Sequence, residues 1–220
     1  MSIGLATNHA GRVTATVIGV RTVEVWQVEL AQPPELVGSL ESMLSDEERE
    51  RASRLAAAPR WIVARAALRI VLAGRLGVHP CDVEFAAGEH GKPELPGSRL
   101  RFNLSHSADL ALIALTDRAE VGIDVEHTSR RSRAVERTLT VAERAALNGH
   151  DRHTELLRIW CRKEALAKAG GGGLGWAPET YDTQQPGPFS LSDLELQDGY
   201  VGALALHGDT ADVVLYRIQL

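Results

Sequence analysis

Two carboxylates set two residues apart in a run of apolar β-formers, Val121-Gly122-Ile123-Asp124-Val125-Glu126, are the first place in this chain where chemistry can be read. Alternate residues of a strand share a face. Val121, Ile123 and Val125 are therefore predicted to face a core, with Asp124 and Glu126 together on the other side, about 7 Å apart. Carboxylates this close repel each other. Either water solvates them on an open face, or they hold a hard cation such as Mg²⁺, which takes oxygen ligands. A second cluster, Trp160-Cys161-Arg162-Lys163-Glu164-Ala165-Leu166-Ala167-Lys168, puts Trp160, Glu164 and Lys168 at i, i+4 and i+8 on one helix face. Either Trp160 is core and Glu164 pairs with Lys168, or Glu164 adds a third carboxylate to the metal site and Lys168 touches a phosphate.

Phe102-Asn103-Leu104-Ser105-His106-Ser107 is the third cluster. Neighbouring strand residues point to opposite sides, so Ser105 and His106 do not form a hydrolase dyad, and no G-x-S-x-G context surrounds them. Hydroxyl, imidazole and backbone N–H groups at a strand end suit a phosphate instead, the alternative being an ordinary loop histidine. Gly91-Lys92-Pro93 holds a lysine in a rigid loop, suited to the same ligand or simply exposed. The run Gly170 to Gly173 is followed by no Gly-Lys-Ser/Thr and is not a P-loop. His150 and His153 beside Asp151 read as solvated surface, and Cys161 as a half-buried helix residue rather than a nucleophile.

These groups need elements to position them. Trp26, Val28 and Leu30 alternate with polar residues as a strand, which Pro33 and Pro34 end. Ser45 with Glu48 forms a capping box that opens a helix to about Ala57, and Pro59 suits the first turn of a longer helix ending near Gly77. Strands are expected at Val83 to Phe85, Leu100 to Ser105, Leu110 to Thr116 and Val121 to Glu126. A charged loop from His127 to Arg137 leads to a helix near Val141 to Leu147, then to one from about Thr154 to Ala169, stopped by Gly170 and the glycines after it. Strands return at Tyr200 to Leu206 and Val213 to Leu220. The order predicts an α+β fold of two similar halves, residues 1–117 and 118–220, packed tightly with no low-complexity linker.

A net charge of −5 argues against bulk nucleic-acid binding, although Arg49, Arg51, Arg54, Arg60, Arg65 and Arg69 crowd one stretch and can build a local anion site. Two distant cysteines, Cys81 and Cys161, argue against a disulfide framework and for a reducing cytoplasm as the natural setting. No signal peptide is read at the start, and no segment is apolar for the length of a membrane span.

In order and spacing, Gly-Lys-Pro, Phe-Asn-Leu-Ser-His-Ser, Gly-Ile-Asp-Val-Glu and the run Trp160 to Leu174 resemble the Sfp-type 4′-phosphopantetheinyl transferases, in the subgroup with Trp and Lys-Glu-Ala. The helix opened by Ser45 resembles that family's first helix, and the likeness covers residues 44 to 175. The resemblance implies a fold of two similar α+β halves with coenzyme A in the cleft between them. It implies Mg²⁺-dependent transfer (Mn²⁺ being an alternative ion) of 4′-phosphopantetheine from coenzyme A to an apo acyl- or peptidyl-carrier protein by a monomeric enzyme. Asp124, Glu126 and Glu164 match the metal-binding acids. Arg51, Lys92, Ser105, His106 and Lys168 match contacts to the coenzyme A phosphates, with Arg60 and Arg65 as additions. Glu164 and Glu143 both match acidic positions suited to the general base, Glu164 being favoured. Some relatives carry lysine where this chain has Glu48, so another arginine must supply that contact or it is absent. For carrier docking, Arg130, Arg131, Arg133 and Arg137 are expected to form a basic rim around Leu139, Val141 and Leu147, the alternative being a mobile charged loop with a buried helix face. A non-catalytic coenzyme A-binding module and a Mg²⁺-dependent phosphohydrolase are the rival readings.

Overall fold

The computed structural model describes residues 5–7, 13–15, 22–88, 91–117, 119–131, 135–147, 151–171 and 180–220. Two short strands, β1 (Leu5–Thr7) and β2 (Val13–Ala15), pair as an antiparallel ribbon. The first large sheet grows from β3 (Thr22–Glu29). Its residues alternate, Val23 and Val25 packing on one side and Trp26 and Val28 on the other. Three helices follow: α1 (Pro34–Glu41), α2 (Asp46–Ser53) and α3 (Ala58–Leu76). The expected capping box is present on α2, with Ser45 Oγ accepting from the Glu48 N–H and Glu48 accepting from the Ser45 N–H. Gly77 closes α3 with φ +70°, a left-handed conformation that glycine adopts without steric penalty.

β4 (Ala86–Ala87) and β5 (Pro93–Glu94) make a small ribbon. The strand expected at Val83 to Phe85 is not there, because pairing begins only at Ala86, where β5 provides a partner. β6 (Leu100–Ser107), β7 (Leu110–Asp117) and β8 (Val121–His127) form where alternation predicted them. α4 (Val141–Ala146) is capped by Thr140 with Glu143 closing the box, and α5 (Arg152–Ala169) ends at Gly170. Gly172, Gly173, Leu174, Arg133 and His150 lie outside the described residues. β9 (Phe189–Asp193), β10 (Tyr200–His207) and β11 (Asp212–Ile218) complete the chain. Helix α1 and strands β1, β2 and β9 were not expected from the sequence, and β5 lies where a loop around Lys92 was expected.

The four-stranded sheet has the order β11-β3-β7-β6, and the three-stranded sheet β8-β10-β9. β11 pairs parallel to β3, so the end of the chain returns to the sheet begun near its start. The molecule is a mixed α+β fold in four layers. Helices α1 to α3 cover one face of the larger sheet around Leu68, Leu72 and Ile113. The opposite face packs Val25, Leu112 and Ala114 against Val121, Ile123 and Leu204 of the smaller sheet. The far side of that smaller sheet receives α5 through Leu157, Ala165 and Ala203. The edge strands β6 and β8 meet where the two sheets adjoin, and there the polar clusters read from the sequence converge.

Candidate active site

β8 obeys its alternation, but neither face is open. Val121, Ile123 and Val125 lie between the sheets, while Gly122, Asp124 and Glu126 turn toward α5, with Asp124 4 % and Glu126 7 % exposed. Gly122 lets the helix close. A Cβ there would stand 2.0 Å from the Ala165 carbonyl oxygen and 2.5 Å from the Ala169 nitrogen. α5 then delivers Trp160, Glu164 and Lys168 to the edge of β8, where they line one cleft of about 370 Å³ with Ser105, His106, Asp124, Glu126 and Arg130.

The polar face of β6 forms the seam. Asn103 Oδ1 accepts from the Ile123 N–H at 2.9 Å, and Ser107 Oγ accepts from the His127 N–H at 3.0 Å. Side chains thus supply partners that a backbone ladder would otherwise give to an edge strand. The hydroxyls also order the acids. Ser105 Oγ donates to Asp124 Oδ1 at 2.7 Å, and Ser107 Oγ to Glu126 Oε2 at 3.0 Å. Lys168 Nζ donates to Asp124 Oδ1 at 2.6 Å, Ser105 Oγ at 3.1 Å and the Ile123 carbonyl at 3.2 Å. Arg130 pairs with Glu126 Oε1 and lies over the Trp160 ring, 5.1 Å from its centre. Asp124 Oδ2 is buried with no hydrogen-bond partner. Burial, and then the Asp124 charge, push the Glu164 carboxyl above the usual range, against Lys168 and Arg130.

A second cavity of about 560 Å³ adjoins this cleft and shares Leu104 and His106 with it. Arg51, Trp61, Arg65, Phe85 and Phe102 are among its walls. Glu48 organises that wall. It receives Arg65 Nε on Oε1, and Arg69 Nε at 2.7 Å and the Ser45 N–H at 2.9 Å on Oε2. Burial alone would raise its carboxyl, but Arg69, the Ser45 N–H and Arg65 outweigh burial and hold it below the usual range. Arg65 lies over the Phe85 ring, 3.9 Å from its centre. Glu48 thus fixes Arg65 on the cavity wall.

The structure brings Ser105, His106, Asp124, Glu126, Glu164 and Lys168 into one cleft, and Arg51, Arg65 and His106 into its neighbour. Three other candidates lie apart. Lys92 donates to Glu120 Oε2 at 3.0 Å and the Val121 carbonyl at 3.2 Å, although Gly91 and Pro93 beside it line the second cavity. Arg60 pairs with Asp109 at 2.6 Å outside both cavities. Glu143 is 1 % exposed, paired with Lys163 at 2.9 Å and bonded to Thr183 and Thr140, and it lines neither cavity. In the expected docking patch Leu139 and Leu147 are core residues, whereas Val141 is 88 % exposed. Arg130, expected on the basic rim, sits in the cleft instead. Its place comes from the path of the chain after β8, which no periodicity in the sequence encodes.

The family model described as the 4′-phosphopantetheinyl transferase superfamily matches residues 120–216, the stretch that carries Asp124, Glu126, Glu164 and Lys168. The chain is 33 % identical over 208 residues to the 4′-phosphopantetheinyl transferase HetI of Nostoc, covering 84 % of this chain and 88 % of that one. It is 34 % identical over 135 residues to the 4′-phosphopantetheinyl transferase AcpT of Salmonella typhi, covering 58 % of this chain and 68 % of that one. It is 27 % identical over 165 residues to the 4′-phosphopantetheinyl transferase of Bacillus subtilis, covering 71 % and 73 %. The chain belongs to the 4′-phosphopantetheinyl transferase superfamily. It is an enzyme of that class, a phosphopantetheinyl transferase.

Proposed function

We propose that this enzyme is of the Sfp type and moves 4′-phosphopantetheine from coenzyme A to a serine of an apo acyl- or peptidyl-carrier protein, with Mg²⁺, releasing adenosine 3′,5′-bisphosphate. The adjoining cavities carry this reading. One offers aromatic rings and two arginines, suited to a phosphorylated nucleoside, and the other offers acids and a lysine, suited to a diphosphate with a cation. His106, shared by both, stands where the two ligand parts would join.

Among the described residues no group of three acids, histidines or cysteines is arranged to hold a metal ion. The donor chemistry nevertheless fits a hard cation. Three carboxylates face one cleft, and Asp124 keeps a buried oxygen with no partner. Asp124, Glu126 and Glu164 would hold the ion, which when bound neutralises charge on the diphosphate. The chain's own groups do the rest. The serine oxygen of the carrier forms a bond to the phosphorus that bears pantetheine, and the bond from that phosphorus to the bridging oxygen breaks. The bridging oxygen leaves with the adenosine bisphosphate. Glu164, its proton affinity already raised by burial, takes the serine proton. Lys168 stands beside the position of the diphosphate as a fixed cation, and its bond to Asp124 keeps it aimed there. Of the three apolar residues expected to meet the carrier, Val141 is the exposed one.

Transfer measured on Asp124→Asn, Glu126→Gln and Glu164→Gln tests the assignment. Each variant is expected to lose at least a hundredfold in rate with the fold retained. Near-normal rates for all three at saturating Mg²⁺ would refute it.

A further inference from the structure

The site's acids are already occupied by cations of the protein, and the two occupations differ. Lys168 and Ser105 both sit on Oδ1 of Asp124, leaving Oδ2 without a partner. Glu126 has no such spare oxygen. Ser107 donates to Oε2, and Arg130 holds Oε1. The hydroxyl is fixed in turn, because Ser107 Oγ also accepts the His127 N–H across the seam. Arg130 is less constrained. It comes from the loop after β8, its side chain is 40 % exposed, and its second neighbour is the face of the Trp160 ring, a contact that fixes no single hydrogen-bond direction. It lines the cleft together with Glu164 and Lys168.

We propose that Arg130 is a mobile counter-ion of this site. It neutralises Glu126 while the cleft holds no divalent ion, and would pass to a phosphate oxygen of the substrate when Glu126 helps to hold one. The proposal rests on the metal and diphosphate assignment made above and adds a residue to it. Three carboxylates face the cleft with Lys168 and Arg130. A divalent ion arriving alone makes the cleft electropositive and must displace Arg130 from its carboxylate. When it arrives with a diphosphate, two negative charges come with it and the displaced guanidinium gains a bidentate partner suited to its fork. Arg130 therefore opposes binding of the ion alone and favours binding of the ion with substrate. This couples the two ligands through one side chain, by differential contact in the two states.

Mn²⁺ binding to the full chain, followed by electron paramagnetic resonance with and without coenzyme A, tests this on the wild type, Arg130→Ala and Arg130→Lys. Arg130→Ala is expected to bind Mn²⁺ alone about two- to fivefold more tightly than the wild type, the upper part of the range expected for loss of one competing, partly exposed ion pair. With coenzyme A present its advantage should vanish or reverse, and its KM for coenzyme A should rise. Arg130→Lys should fall between the two in both measurements. Circular dichroism and thermal melting of each variant establish that the fold is kept. Should Arg130→Ala fail to fold, the same comparison on Arg130→Lys decides the matter. Unchanged or weaker affinity for Mn²⁺ alone in the folded variant overturns the proposal while leaving the metal site standing. Failure of the wild type to bind Mn²⁺ even with coenzyme A overturns the metal assignment, and the proposal with it.

Discussion

Replacing Lys163 by Met strips the ammonium from the most deeply buried ion pair of the molecule's described residues. Lys163 is 0 % and Glu143 1 % exposed, with Nζ 2.9 Å from Glu143 Oε2. Nζ also donates to the Tyr181 carbonyl. Glu143 Oε1 accepts from the Thr183 N–H at 3.0 Å and its hydroxyl at 2.9 Å, and Oε2 accepts from the Thr140 N–H at 2.9 Å. The pair thus ties α4, α5 and the segment around Thr183 together. Removing one partner of a buried pair costs about 3–5 kcal/mol. The three donors that remain on Glu143 put the expectation at the lower end, about 3 kcal/mol, or roughly 6–12 °C in Tm for a chain of this size. Urea and thermal unfolding at pH 7 measure it, and a loss under about 1 kcal/mol would refute the structural reading. Glu143→Gln separates structure from chemistry. A structural residue leaves kcat near normal below the lowered Tm, whereas a hundredfold fall in kcat with stability intact would make Glu143 the base instead of Glu164.

The pH dependence follows from the same residue. Burial opposes its charge, but the Thr183 N–H, Lys163 and the Thr140 N–H prevail, so the Glu143 carboxyl lies below its unfolded value. Its contribution is complete above the ordinary carboxylate range and is lost as pH falls through the depressed folded value. Glu143→Gln should therefore flatten the acid limb of stability against pH, and an unchanged limb would contradict this. Gly122→Ala is expected to cost about 1–3 kcal/mol by overpacking and to lower kcat as well, because the added methyl must push α5, with Glu164 and Lys168, off β8. A variant with wild-type Tm and rate would show that the close approach is not needed. Arg51→Ala and Arg65→Ala should each raise KM for coenzyme A by about tenfold or more, and less for dephospho-coenzyme A, if they hold its 3′-phosphate. Equal losses for both ligands would place the arginines at the diphosphate.

Much of this arrangement could be read from the sequence because strand alternation and helical spacing are local. Asp124 with Glu126, and Glu164 with Lys168, were each placed on one face by period alone, and the capping box at Ser45 and Glu48 and the Gly77 stop behaved as their local chemistry requires. What sequence could not supply was what covers a face. An open face was one reading for Asp124 and Glu126, yet α5 buries them, a consequence of Gly122 that only packing reveals. Helix α1 begins at the proline taken as a strand end, since Pro34 suits both roles. Leu139 and Leu147 look like exposed contacts until the core they join is known, and Lys92 reads as a free cation until Glu120 is seen beside it. Arg130 was missed as a cleft residue for the same reason: its neighbours come from β8 and α5, brought together by topology.

Transfer itself is the most direct test of the proposed activity. Purified enzyme, coenzyme A, Mg²⁺ and an apo carrier protein are incubated, and the carrier is weighed by mass spectrometry. The expected result is a gain of one phosphopantetheinyl group on the carrier serine, an equal amount of adenosine 3′,5′-bisphosphate, and no gain when the ion is chelated. Coenzyme A bound without any gain in carrier mass, or cleaved at the same rate with no carrier present, would contradict it.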